Sequence, residues 1–227
     1  MDVIQYLMHK DFVSAAIALL SGIFILLVML PVHEFAHAFA ANKLGDPTAK
    51  YNGRLTLNPF KHLDFIGAML LLFFGFGWAK PVPVNQHNFK NPKADMAITA
   101  FAGPLSNLIM GFLMLLLLNI INIFYINIYI NLFFTYAAMI NINLAIFNLV
   151  PVPPLDGSRL LFAFLPDRLY YKLQQYEMLF SIIILALIMT GGLSRPLSFI
   201  SGHIYNGFSY VLSLIFSPLM HGASVLI

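Results

Sequence analysis

The chain contains no cysteine. Disulfides and thiolate metal ligands are therefore excluded, and any metal ion must be held by histidine or carboxylate side chains. Charge is almost as scarce: Lys, Arg, Asp and Glu make up 9% of the 227 residues, against about 25% in an ordinary soluble domain. So few charges could not cover the surface of a water-soluble fold of this length. The start, Met1-Asp2-Val3-Ile4, lacks the basic region, short apolar core and small-residue cleavage site of a secretory leader. The first apolar span is expected to act as an uncleaved insertion signal. A net charge of +3 carries no signature of nucleic-acid binding, and no such partner is expected.

What the chain has instead is apolar length. Hydrophobic residues make up 60%, phenylalanine alone accounts for 22 positions, and the mean hydropathy is +0.84. The expectation is an all-α polytopic membrane protein of about five to six transmembrane helices in a lipid bilayer, with a small β-hairpin or re-entrant element near the cytoplasmic face. One membrane-embedded domain over residues 1–227 is expected, its core at about 12–165 and its C-terminal helices at about 176–220.

Residues 11–43 read as one helix, longer than a single bilayer crossing, with Pro31 expected to kink it. Residues 43–62 are polar and basic, with Gly45-Asp46-Pro47 as a turn. Within them 49–57 alternates as an edge strand or hairpin would, a surface loop being the other reading. Residues 63–78 are apolar but short, and lysines flank both ends (Lys61; Lys80, Lys90, Lys93). The positive-inside rule assigns both flanks to the cytoplasm, which a re-entrant excursion satisfies better than a crossing. Spans follow at 97–121 and 132–149, joined by a connection without Lys or Arg that reads as the outer side. An amphipathic basic stretch at 158–175 and two further spans, 178–189 and 197–217, complete the chain. Counting crossings with basic loops inside puts the N-terminus outside and the C-terminus inside, in a multi-pass arrangement.

Embedded in this apolar context is Val32-His33-Glu34-Phe35-Ala36-His37-Ala38, an H-E-x-x-H pattern. On a helix, positions four apart share a face at roughly 5–6 Å, so His33 and His37 can offer two imidazoles to one ion, with zinc the favoured metal. Glu34 falls between them, suited to act as a general base on the attacking water. No charge occurs from Phe12 to Val32, and a carboxylate with two histidines at membrane depth is costly, so function is the default reading.

Hydrolytic zinc sites use three protein ligands. The candidates for the third are Asp156, Glu177, Asp95, Asp64, His62, His87, His203 and His221. Asp156 stands out by context, because it follows the proline-rich run 151–154 inside an apolar segment, with Gly157 leaving room for close backbone approach. Glu177, Asp95 and Asp64 lie at span boundaries, where a solvated carboxylate is ordinary. The remaining histidines lie near interfaces or the C-terminus.

At these residues the chain resembles the site-2 protease family of intramembrane zinc metalloproteases. The family pairs the helical H-E-x-x-H with a downstream N-x-x-P-x-x-P-L-D-G motif, matched here by Asn148-Leu149-Val150-Pro151-Val152-Pro153-Pro154-Leu155-Asp156-Gly157. Gly103-Pro104-Leu105-Ser106-Asn107 and Trp78-Ala79-Lys80-Pro81-Val82-Pro83-Val84-Asn85 are similar to stretches of compact bacterial and archaeal members. The resemblance implies one zinc (Zn2+) per chain on His33, His37 and Asp156, with Glu34 as catalytic base. It also implies that Asn107 and Asn148 lie near the site, holding substrate carbonyls or an oxyanion. It implies a transmembrane protein as substrate and a prokaryotic inner membrane as location, the site opening toward the cytoplasm. No stretch is long and polar enough for a PDZ or CBS domain. The competing class is a non-proteolytic metal-binding membrane protein, either an inactive homologue or a transporter. A transporter would carry polar ligands across the full span, and here they gather at one depth. A di-iron oxygenase would need more deep histidines than these two.

Overall fold

The computed structural model describes residues 3–74 and 77–223. It is built from helices: α1 (Val3–Met8), α2 (Phe12–Phe24), α3 (Leu30–Leu44), the short turns α4 (Thr48–Tyr51) and α5 (Pro59–His62), and α6 (Phe65–Phe74). Then come α7 (Pro92–Phe124), α8 (Ile128–Asn148), α9 (Asp156–Phe162), α10 (Asp167–Gln175), α11 (Glu177–Met189) and α12 (Ser194–Ala223).

Phe12–Leu44 is one continuous helical rod of 33 residues. Its irregularity is a π-helical turn at Ile25–Met29, after which the Leu30 N–H still reaches back to the Ile25 carbonyl. Pro31 follows immediately. Its ring crowds the preceding turn and it has no N–H to donate, and the wider π turn accommodates both. The rod ends in a Schellman cap: Gly45 takes the left-handed conformation (φ 111°), and the Asp46 N–H bonds the Ala41 carbonyl at 2.9 Å.

Three helices are long and apolar enough to cross a bilayer among the described residues: Phe12–Leu44, Pro92–Phe124 and Ile128–Asn148. The expected five or six are not reached on that measure. At 10 and 13 residues, α6 and α11 are short, and α12, though 30 residues long, is interrupted by His203, Asn206 and several serines. The core forms where the π turn, α7, α8 and α12 meet: Ile25, Met29, Met114, Leu115, Ala137, Ala138, Leu212 and Phe216 are buried together. Alanines on α8 let α7 approach closely, as small residues do in membrane helix pairs. Asn122 and Asn131 exchange side-chain amide bonds of 3.0 and 3.1 Å between α7 and α8. Asn127 caps α8, accepting from Tyr129 N and Ile130 N.

The expected β-hairpin at 49–57 is absent. Residues 48–51 form the helical turn α4, and Gly53 (φ 65°) leads out of it. Alternation alone does not make a strand without a partner to pair with, and here Asp46 starts a helical turn instead. Its carboxylate accepts from the backbone N–H and hydroxyl of Thr48. The β-type contact among the described residues is an isolated antiparallel bridge between Leu63 and Ala79. That bridge closes the base of α6: Lys80 N–H donates to the His62 carbonyl at 2.8 Å, so the chain leaves and returns at one place. Trp78 packs so tightly on Gly67 that a Cβ there would lie 2.2 Å from the Trp78 carbonyl oxygen. Gly75 and Phe76, within this segment of the sequence, lie outside the described residues.

Asp46 is fully buried. Besides Thr48 it accepts from Asn85 N (2.7 Å) and Asn88 Nδ2 (2.7 Å), tying the end of α3 to the chain that follows residues 79–84. Burial opposes its ionisation, but the hydrogen bonds from Thr48, Asn88 and Asn85 outweigh it and hold the carboxyl below its ordinary value. The folded group therefore ionises more readily than the unfolded one. The resulting stability is full above the unfolded pKa of about 3.9 and is lost as pH falls through the lower folded value. Asp46→Ala is expected to cost roughly 1–3 kcal/mol and to flatten this acid limb, read by thermal unfolding in detergent from pH 3 to 7.

Candidate metal centre

His33, Glu34 and His37 occupy the second and third turns of α3, and all three are buried. The helix aligns the histidines as their spacing predicts. Their rings stand at 84° to each other, with the two Nε2 atoms 3.0 Å apart. The third corner comes from a part of the chain more than a hundred residues further on. After α8 ends at Asn148, the prolines at 151, 153 and 154 keep the chain out of helix until Asp156 opens α9. Gly157 makes this return possible, because a Cβ there would lie 2.3 Å from the Leu149 carbonyl oxygen. Asp156 Oδ2 then stands 3.5 Å from His33 Nε2 and 3.2 Å from His37 Nε2.

Edges of 3.0, 3.2 and 3.5 Å bracket the roughly 3.3 Å expected between ligands of a tetrahedral zinc with bonds of about 2.0–2.1 Å. Two imidazole nitrogens and a carboxylate oxygen are zinc donors by chemistry as well as by spacing. Among the described residues, these three atoms form a group close enough together to hold a metal ion. His37 is fixed from behind: its Nδ1 donates to the Thr99 carbonyl on α7 at 2.8 Å, which turns Nε2 toward the cluster.

The cluster opens into a cavity of about 310 Å³. Glu34, Asn107, Asn148 and Arg159 lie on its wall, as do Trp78, Pro81, Val82 and Val84. Val82 is buried against Ala38 and Ala49, so this wall is anchored on α3. Arg54, also buried, donates to the Lys80 carbonyl, and its charge is near enough to Glu34 to interact.

None of the other carboxylates and histidines whose side chains are described joins this cluster. Asp95 accepts from Asn91 N at 2.9 Å and Asp64 from Gly67 N at 2.9 Å, each at a helix start. His62 is bonded to the Thr56 carbonyl at 2.7 Å and His203 to that of Phe199 at 2.8 Å. His87 and Glu177 are exposed, and the side chain of His221 lies outside the described ones.

Two contributors escape sequence reading. Thr99 acts through its carbonyl, which no side-chain pattern marks. Gly103 sits against the imidazoles, and a Cβ on it would lie 2.2 Å from His37 Nε2 and 2.7 Å from His33 Cε1. The Gly103-Pro104 pair was visible as a motif, but its steric reason needs the packing of α7 on α3.

Residues 119–191 match the profile of Peptidase family M50. Over 171 residues the chain is 42% identical to a Bacillus subtilis protein named "Putative zinc metalloprotease YwhC", covering 73% of this chain and 78% of that one. It is 27% identical over 189 residues to the Mycolicibacterium smegmatis protein Rip2, which carries the same description, covering 77% and 70% respectively. A Methanocaldococcus jannaschii protein so described, MJ0611, is 31% identical over 133 residues, 57% of this chain and 62% of its own length. No solved structure matches the chain. With a relative this similar over most of both chains, the protein belongs to Peptidase family M50, the site-2 protease family of membrane zinc metalloproteases.

Proposed function

We propose that this chain is an intramembrane zinc endopeptidase that cuts transmembrane segments of other membrane proteins. The observation that carries the reading is the meeting of His33, His37 and Asp156 at zinc-ligand spacing, beside Glu34, on a rod helix built to lie in a bilayer. These three residues hold the ion. Zinc bound there supplies Lewis acidity, easing loss of a proton from water and polarising the scissile carbonyl.

The chain's own residues do the rest. Glu34 accepts the proton of the attacking water and delivers it to the leaving amine, so the carboxylate is regenerated in each turnover. Asn148, on the cavity wall, donates its amide N–H to the carbonyl oxygen as negative charge develops there. A peptide bond in an intact helix is shielded by its own hydrogen bonds, so the substrate must unwind before it fits. The extended stretch 79–84 offers backbone for pairing at Val82 and Val84, while Pro81 and Pro83 lack N–H groups and restrict pairing to one edge.

The α6 excursion is read as re-entrant, its two ends held together at Leu63 and Ala79 on the cytoplasmic side. Water reaches the site from that side. All 227 residues act as one multi-pass unit in a prokaryotic inner membrane, the bilayer and a transmembrane substrate being its partners. The test is reconstitution in proteoliposomes with a single-span substrate, cleavage positions being read by mass spectrometry. Cuts within the apolar span are expected. Cuts confined to the soluble flanks, with the span intact, would overturn the intramembrane reading.

A further inference from the structure

The two imidazoles are not held alike. His37 Nδ1 donates to the Thr99 carbonyl, whereas His33 Nδ1 is sealed from solvent without a partner. An imidazole that turns Nε2 toward a cation carries its proton on Nδ1, and a metal-binding histidine almost always has an acceptor for that proton. The rod helix α3 and α7 run antiparallel where they touch. Thr99 meets His37, and Gly103 contacts both rings. One turn further along the same face of α7, about 6 Å on, stands Asn107. It is 2% exposed, and its Oδ1 is likewise sealed and without a donor. Thr99 Oγ1 is a third such atom, but Thr99 sits at the His37 end of the contact.

We propose that Asn107 is the positioning residue for His33. Its amide oxygen accepts from His33 Nδ1, after a small side-chain rotation or through one enclosed water, as the Thr99 carbonyl does for His37. The donor and acceptor left over by the rest of the site satisfy each other, and both ligands of α3 are thereby oriented from α7. This rests on the reading of His33 as a zinc ligand. It gives Asn107 a task distinct from that of Asn148, which faces substrate.

The test is the zinc dissociation constant of the detergent-purified full chain, measured by chelator competition for wild type, Asn107→Leu, Asn107→Ala and Asn107→Asp. Asn141→Leu serves as control, since it removes another sealed, unpartnered amide oxygen, on α8. Leu and Ala are expected to weaken zinc binding about 10–100-fold. Asp, which keeps an acceptor, should stay near wild type, and so should the control. Wild-type affinity in both Asn107→Leu and Asn107→Ala overturns the assignment, as does an Asp variant that binds as weakly as they do. A wild type that binds no zinc overturns the metal centre itself, and this inference falls with it.

Discussion

Glu34→Gln is expected to slow cleavage of a single-span substrate by about 10²–10⁴-fold, the usual contribution of a general base, with zinc content unchanged. Glutamine keeps the size and one carbonyl oxygen of the side chain but cannot accept a proton. The proposed ligand triangle does not include Glu34: the three atoms that converge closely enough to hold an ion come from His33, His37 and Asp156. Loss of turnover should therefore be separable from loss of metal. Turnover at the wild-type rate in this variant would make another group the base. Zinc lost together with activity would instead give Glu34 a part in binding the ion.

The second large effect is expected from the smallest change, Gly103→Ala. The added methyl would stand 2.2 Å from His37 Nε2, 2.5 Å from His37 Cε1 and 2.7 Å from His33 Cε1. Such contacts cannot be tolerated, so either the imidazoles turn away from Asp156 or α7 moves off α3. Both outcomes open the ligand triangle. Zinc occupancy and cleavage should fall together, whereas Glu34→Gln separates them. Gly202→Ala and Gly207→Ala, where a Cβ meets nothing within 4 Å, give the comparison: zinc and cleavage at wild-type levels. Full zinc occupancy in Gly103→Ala would contradict the packing of α7 against the histidines.

How much of this was legible in the sequence follows from how local each interaction is. His33 and His37 are four residues apart, and helical geometry alone puts them on one face. That Asp156 would lie beside the histidines was legible through context, since an aspartate after several prolines in an apolar segment needs a partner. The return at Leu63 and Ala79 was foreshadowed by lysines on both flanks of a short apolar run. The hairpin expectation at 49–57 failed because period-2 alternation is visible in one segment, while a strand needs a second segment to pair with. Asp46 read only as part of a turn. Its hold on Asn88 spans 42 residues, and nothing local announces it. Gly103 and Thr99 act on the histidines through the absence of a side chain and through a backbone carbonyl, neither of which leaves a pattern to read.

The central claim, that α3 and the start of α9 together hold one zinc inside the membrane, is tested most directly by metal analysis of the purified chain. Wild type, Asp156→Ala and His37→Ala would be compared after identical detergent extraction, with thermal unfolding to confirm that each is folded. One zinc per wild-type chain and little in either variant is the expected result. No zinc in the folded wild type, or a full complement in folded Asp156→Ala, would contradict it.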